Sequence, residues 1–482
     1  MSGPGEGRDP DLAAKAAYGR LRAAHLHAVR AALEDHIARL DWPRERIEHY
    51  RDQRLRALLA HARERSPFHA RRLRDLDPSS ATVADLARLP VMTKQETQQD
   101  WDSIVTVPDL TRERAEGILG QQRWFSYTPG GQQIFSSGGS SGVRGVYVWD
   151  WDLFVSFACL AWRMQTRQER RDPPLRRQAK LAVLQAGGPP HASTPLFDVA
   201  TVAGMDTVVI PASAPFEEVL AAVAAARPTH LVGYATVVGR LARAAAAGDL
   251  DIQPVRVSTN SEPLLEEDRQ AIADAWNVPV HNLWGSTEIG VAATGCGGGA
   301  GLHVCEDEVV LERVDEAGVP VAPHEPAART LATGLANRTF PFIRYDLGDE
   351  VAVLPGPCEC GSEFVRLADI AGRLDDDFRY PTCTVPASAF RSVLGTDPRI
   401  AEYQVRQTAT GAHILAVGSP DVPSLIQAIA SKLRRQGLPD PEVQVDVVDG
   451  IQRRSVGGKL RRFVALKGTD RGTDPPAPSG SR

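Results

Sequence analysis

Between Phe135 and Thr287 short apolar runs alternate with stretches of helical composition, and this alternation constrains the fold more than any other feature of the 482-residue chain. The runs are LAVLQA (181–186), TVVI (207–210), THLVGY (229–234) and VRVST (255–259). They are too short for helices and lack polar alternation, so they read as strands buried on both faces. Pro215–Arg227 and Thr236–Ala247, lying between them, read as helices. Strand and helix in alternation imply a largely parallel, doubly wound sheet.

The flanks read differently. Leu12 to Arg74 is rich in Ala, Leu and Arg, with apolar residues at helical spacing, and predicts two or three amphipathic helices. Leu86–Trp101 predicts a further short helix, with Thr93 as N-cap ahead of Glu96. From Gly301 to Leu354 the runs EVVLERV, PFIRY and EVAVL alternate with Gly/Pro turns and predict a β-rich subdomain. After Gly372 the pattern is mixed, with a helix over Pro423–Gln436 and a strand over 442–448. The expected fold class is α/β: a large N-terminal domain (12–372) of doubly wound sheet plus the β-rich subdomain, and a small mobile α+β C-terminal domain (375–467). Residues 1–11 and 468–482 are polar, Gly/Pro-rich ends expected to be disordered.

Composition excludes several classes. A net charge of −5 with acids and bases interspersed offers no basic stripe for nucleic acid. No apolar stretch is long enough for a membrane helix, and Met1–Pro10 lacks the apolar core of a secretory leader. Six cysteines in such a length are no disulfide framework, so a cytoplasmic location is expected. Lysine is scarce, six against 49 arginines, which makes a lysine inside a motif conspicuous.

Four segments carry chemistry. Ser136-Ser137-Gly138-Gly139-Ser140-Ser141-Gly142 lies between strand-like runs; small residues let backbone N–H groups converge on an anion, and hydroxyls add donors. Taken alone it is equally a Gly/Ser linker, and it lacks the lysine of a Walker loop. Asn260-Ser261-Glu262-Pro263-Leu264 is followed by Trp284-Gly285-Ser286-Thr287-Glu288, where two hydroxyls beside a carboxylate suit a phosphate and its Mg²⁺, or simply a capped turn. Arg344-Tyr345-Asp346-Leu347-Gly348-Asp349 places an acid after a glycine, suited to vicinal ribose hydroxyls or to a solvated turn. Ser455-Val456-Gly457-Gly458-Lys459 presents one of the rare lysines on two glycines, a compact charge on a long stem.

In this order the segments resemble the adenylate-forming superfamily of acyl-CoA synthetases and adenylation domains, in particular its phenylacetate–CoA ligase-like branch. SSGGSSG matches the family's phosphate loop, NSEPL its adenine-side segment, WGSTE its aromatic-G-[ST]-T-E motif and RYDLGD its ribose aspartate. GRLDD matches the hinge and GGKLRR the C-terminal lysine motif, so the resemblance spans roughly residues 50–466.

The resemblance implies that Ser140, Ser141 and Gly142 hold the β- and γ-phosphates of ATP. Thr287, beside Gly285 and Ser286, would contact the α-phosphate, and Glu288 would ligate Mg²⁺. Ser261, Glu262 and Pro263 would pack along adenine with Trp284 nearby. Asp349, with Arg373, would take the ribose, Lys459 would bridge the acid and the α-phosphate, and Asp375 would be the hinge. The implied activity is ATP-dependent activation of a carboxylic acid, aryl or otherwise small, to an acyl-adenylate, then thioesterification to CoA. Alternatives are delivery to a carrier-protein thiol or an amine, or a nucleotide-binding relic without catalysis. Two departures stand out: Val143-Arg144 in the phosphate loop, and Tyr380-Pro381-Thr382-Cys383-Thr384 where relatives carry a Gly-rich turn lining the thiol tunnel. His191 and Tyr234 lie where the family builds its acyl pocket.

Separately, Cys296 and His303 precede Cys358 and Cys360 by about 55 residues, two short-spaced pairs of sulfur and nitrogen ligands that suit a structural Zn²⁺. Cys305 competes with His303, and reduced cysteines in turns are the alternative.

Overall fold

The computed structural model describes residues 10–121, 127–128, 130–137, 145–171, 179–185, 205–299, 301–370, 376–395, 397, 399–453 and 460–466. The chain divides into two compact units, Met1–Gly372 with Gln452–Leu460, and Arg373–Ile451 with Arg461–Arg482.

In the first unit, helices α1 (Pro10–Ala38), α2 (Arg44–Arg65) and α3 (Pro67–Arg72) come first. Helix α4 (Lys94–Gln99) is started by the expected device: Thr93 Oγ1 accepts from the Glu96 N–H while the Glu96 carboxylate accepts from the Thr93 N–H. Helices α5 (Trp101–Ile104) and α6 (Arg112–Gln121) lead to an antiparallel hairpin, β1 (Gln133–Ser137) and β2 (Gly145–Trp149). Helix α7 (Trp151–Arg171) follows, its first turn capped by Asp150, which accepts the Leu153 N–H.

The expected alternation then forms the main sheet. Strands β3 (Lys180–Gln185), β4 (Asp206–Pro211), β5 (His230–Tyr234), β6 (Arg256–Asn260) and β7 (Val280–Ser286) are parallel, in order β7-β6-β5-β3-β4. They are joined through α8 (Phe216–Ala226), α9 (Ala235–Ala247) and α10 (Glu266–Trp276). Strands β8 (Gly290–Thr294) and β9 (Leu302–Val304) extend the sheet antiparallel from β7. A smaller sheet of β10 (Val309–Val314), β11 (Arg329–Gly334) and β12 (Tyr345–Asp346) forms the β-rich part.

The reading of this β-rich part needs two corrections. PFIRY is not a strand, because Arg344 sits at φ +56° and breaks extension before Tyr345. Its buried guanidinium donates to Glu312 at 3.0 Å and to the Leu89 and Gly318 carbonyls. EVAVL shrinks to β13 (Val353–Leu354), which pairs with β14 (Arg366–Leu367) and through it with β9.

The second unit pairs a short hairpin, β15 (Phe378–Arg379) and β16 (Thr384–Val385), with helices α11 (Ala387–Leu394) and α12 (Val422–Arg435). Its sheet of β17 (Ile400–Gln407), β18 (Gly411–Gly418), β19 (Glu442–Val447) and β20 (Phe463–Val464) runs in order β19-β18-β17-β20. Phe378, Phe390, Val405, Ile414, Ile429 and Leu433 fill its core. The unit's turn Tyr380–Thr384 is ordered by local bonds, the Tyr380 N–H to the Cys383 carbonyl and the Tyr380 hydroxyl to the Gly411 carbonyl.

Candidate functional site

Two of the sequence motifs, and the strand that follows a third, meet at one carboxylate. Glu288, following β7, accepts hydrogen bonds at Oε1 from the Tyr147 hydroxyl (2.8 Å) and from the Tyr345 hydroxyl (3.0 Å). Tyr147 belongs to β2, the returning strand of the hairpin whose tip is SSGGSSG, and Tyr345 belongs to RYDLGD. Two residues along β2, on the same face, Trp149 donates its indole N–H to the Thr287 carbonyl at 2.7 Å. Burial and the adjacent carboxylate raise both tyrosine hydroxyls far above the ordinary phenol range, so they stay protonated donors.

The ribose aspartate is drawn to the same motif. Asp349 is buried and its Oδ2 accepts the Trp284 indole N–H at 3.1 Å, which fixes the ring next to the carboxylate. Gly285 follows at a register shift between β7 and β8, where a Cβ would lie 2.2 Å from the Gly290 carbonyl oxygen. No side chain fits there, which is why the motif carries glycine. Ser286 Oγ is buried without a hydrogen-bond partner among the described residues, the condition of a hydroxyl kept for a ligand.

At the end of β6, Asn260 Oδ1 accepts from Gln185 Nε2 at 2.7 Å, and Ser261 turns at φ +64°. Glu262 is buried and fully engaged: Oε2 accepts from the Thr236 N–H (3.2 Å) and hydroxyl (2.6 Å), and Oε1 from the Leu460 N–H (2.8 Å). Arg453 adds its guanidinium, 3.6 Å from Glu262 Oε1 and donating to Thr236 Oγ1 at 3.0 Å. NSEPL is therefore held by residues on either side of the Lys459 position.

Glu288, Thr287, Trp284, Gly285, Ser286, Asp349, Ser261, Glu262 and Pro263 all lie in the first unit, at or beside the carboxyl ends of β6 and β7. Open α/β sheets bind ligands at this edge. Ser140, Ser141, Gly142, His191, Arg373, Asp375 and Lys459 lie outside the described residues. Tyr234 is buried at the end of β5. Sequence reasoning missed Tyr147, Trp149, Tyr345, Thr236 and Arg453 as the groups that orient the motif carboxylates and carbonyls. The only available signal was two aromatics at period 2 directly after the glycine-rich turn.

The Cys/His set also assembles. Cys296 follows β8, His303 lies in β9, and Cys358 and Cys360 lie in the turn between β13 and β14, adjoining edges of one sheet. The four ligand atoms lie within 4.8 Å of one another, with Cys296 Sγ 3.6 Å from Cys358 Sγ and Cys360 Sγ 3.4 Å from His303 Nε2. A tetrahedral zinc with ordinary bond lengths has S···S edges of about 3.8 Å and S···N edges of about 3.5 Å, so the set fits the ion. His303 Nδ1–H donates to the Phe364 carbonyl at 3.2 Å, leaving Nε2 as the ligand atom. Cys305 is not part of the set. The chain leaves β9 at this residue and its thiol is buried beside Arg163 and Asp307, where burial raises its pKa to about 12.

A doubly wound sheet carrying NSEPL, WGSTE and RYDLGD at its carboxyl edge has the fold of the adenylate-forming enzymes. 2-Hydroxyisobutyryl-CoA ligase in the postadenylation state has a TM-score of 0.68 to this chain at 17% identity, covering 89% of this chain and 91% of that one. In its thioesterification state, with CoA and an acyl-AMP bound, the same enzyme gives 0.57. In sequence, phenylacetate-coenzyme A ligase of Thermus thermophilus is 24% identical over 460 residues, 88% of this chain and 98% of that protein. CapK of Staphylococcus aureus is 28% identical over 155 residues, 31% of this chain. No protein-family model matches. The chain thus has the fold of 2-hydroxyisobutyryl-CoA ligase and is similar along most of its length to a phenylacetate–CoA ligase.

Proposed function

We propose that the protein is an AMP-forming acid–CoA ligase: it activates a small carboxylic acid with ATP and passes the acyl group to the thiol of CoA. The observation that carries this reading is the convergence of Tyr147 of β2 and Tyr345 of RYDLGD on Glu288 of WGSTE, joined to the Trp284–Asp349 pair.

In the first half-reaction a substrate carboxylate oxygen attacks the α-phosphorus, the bond to the bridging oxygen breaks, and pyrophosphate leaves. Glu288 is the residue that would hold Mg²⁺, its orientation set by Tyr147 and Tyr345, and the ion supplies charge neutralisation at the phosphates. Thr287 contacts the α-phosphate with its backbone braced by Trp149, Asp349 holds the ribose, and Lys459 bridges the two reacting groups. Fixed donors aimed at developing charge supply most of the rate in such transfers. In the second half-reaction the thiol attacks the acyl carbonyl and AMP leaves.

Acid-dependent pyrophosphate release, followed across a panel of acids with and without CoA, tests the reading. Turnover that requires CoA and gives an acyl-CoA by mass supports it. Release indifferent to CoA redirects the second step to a carrier-protein thiol or an amine.

Zn²⁺ at Cys296, His303, Cys358 and Cys360 would brace the edge of the main sheet rather than join the reaction. Metal analysis of untagged protein is expected to show about one zinc per chain. Cys358→Ser should lose that zinc and lower Tm, whereas less than a quarter equivalent in the wild type would overturn the assignment.

A further inference from the structure

The face of the main sheet that packs on α7 is unusually polar beneath the nucleotide motifs. Register places Val232 (β5), Ser258 and Asn260 (β6), His281 and Leu283 (β7) and Thr294 (β8) side by side on this face. Strands buried on both sides are normally near-continuous Val, Ile and Leu. Here the sheet and the Ala161–Gln165 stretch of α7 enclose a cavity of about 40 Å³, lined also by Trp162 and Gln165. It abuts Asn260, the first residue of NSEPL, and Leu283, the residue before WGSTE, so the tail of an acid attached at the α-phosphate would enter it.

Part of this polarity is internally satisfied. Gln165 Nε2 donates to Ser258 Oγ at 3.1 Å, and Asn260 is held by Gln185. The remainder is not. His281 Nε2, Thr294 Oγ1 and Trp162 Nε1 have no hydrogen-bond partner among the described residues, although His281 and Thr294 are 3% and 4% exposed. Such groups are costly to bury and persist where a ligand completes them. Their chemistry is specific. His281 Nδ1 faces the Gly295 carbonyl at 3.3 Å and must donate to it, so Nε2 carries a bare lone pair and is an acceptor. Trp162 Nε1–H is a donor only, and Thr294 is both. No lysine, arginine, aspartate or glutamate lines the cavity among the described residues.

From this donor set we infer that the acid carries an uncharged hydroxyl on the part of its tail remote from the carboxylate, donating to His281 Nε2 and accepting from Thr294. The inference rests on the ligase reading above and names its substrate class. A charged tail has no counter-ion in the cavity, and a wholly apolar tail leaves three buried polar groups unpaired. Pockets built to hydrogen-bond a hydroxyl discriminate strongly against the analogue lacking it.

The test is pyrophosphate release with matched acids, aryl and aliphatic, each pair differing only in a remote hydroxyl replaced by hydrogen. The hydroxylated member is expected to have a kcat/KM about 10- to 100-fold higher in at least one pair. Thr294→Val keeps the shape and removes a hydroxyl, so it should cut that ratio while raising Tm, because a buried unpaired group is gone. A merely structural threonine would change Tm and leave the ratio untouched, which overturns the assignment. Release equal across every pair overturns the hydroxyl inference and leaves adenylation standing. No release with any acid overturns the adenylation reading and this inference with it.

Discussion

Lys459→Ala is expected to lower acyl-adenylate formation by about 10²–10³-fold while leaving transfer from a supplied acyl-adenylate to CoA nearly intact. Adenylation develops negative charge between the carboxylate and the α-phosphate, and a lysine between them acts only in that step. Thioester formation starts from the acid already joined to the α-phosphate and the thiol attacks the acyl carbon, so a lysine that brings the carboxylate and the α-phosphate together has no such pair to bridge. Single-turnover assays of each half-reaction separate the two, and equal loss in both would make Lys459 structural. Glu288→Gln should depress adenylation comparably and raise the Mg²⁺ requirement, because the amide keeps an acceptor for Tyr147 and Tyr345 but loses the charge.

Asp307→Asn is expected to destabilise the first unit by about 3–5 kcal/mol, enough to lower Tm sharply, because it strands buried arginines. Asp307 is fully buried and takes a bidentate pair from Arg163 at 2.6 and 3.0 Å, with Arg39 at 3.3 Å. Its neighbours repeat the arrangement: Glu308 is paired by Arg39 and Arg54, and Glu306 by Arg44. These pairs pin the residue after α1, the first half of α2 and α7 to the chain after β9. Replacing both partners, Asp307→Leu with Arg163→Met, should recover most of the loss, since no uncompensated charge remains.

The pH profile follows from the same groups. Burial opposes the Asp307 charge, but Arg163 and Arg39 outweigh it and hold the carboxyl at about 2. Its stabilising contribution is complete above the ordinary carboxylate pKa near 4 and is lost as pH falls toward 2. Burial also depresses His25 to about 4 and His36 and His69 to about 3, so they fold neutral but take up protons when unfolded below about 6.5. Thermal stability is therefore expected to fall first below about pH 6.5 and again below about pH 4. A Tm constant from pH 7 to 4 would contradict the histidine part.

What the residues disclosed unaided follows physical lines. LAVLQA, TVVI, THLVGY and VRVST became β3 to β6 within a residue or two, because an unbroken apolar run bounded by turns has few other places to go. PFIRY failed because its apolar residues are buried around a left-handed Arg344 held by tertiary contacts, and no local pattern reports those. The Cys/His set was legible from its short spacings, but the choice of His303 over Cys305 depended on where β9 ends. The partners of Glu288 were not legible, since Tyr147 is 141 positions away and nothing in a single chain marks that distance.

The Glu262 cluster has a consequence for how the molecule is made. Its Oε1 partners, Leu460 and Arg453, are synthesised about 200 residues after it, long after β6 and α9 have left the ribosome. Until then this buried carboxylate is satisfied by Thr236 on one side only. The main sheet can be complete while Arg453 and Leu460 are still untranslated. Completion of the Glu262 cluster is thus a late event in biosynthesis, reached only once Arg453 and Leu460 have been made.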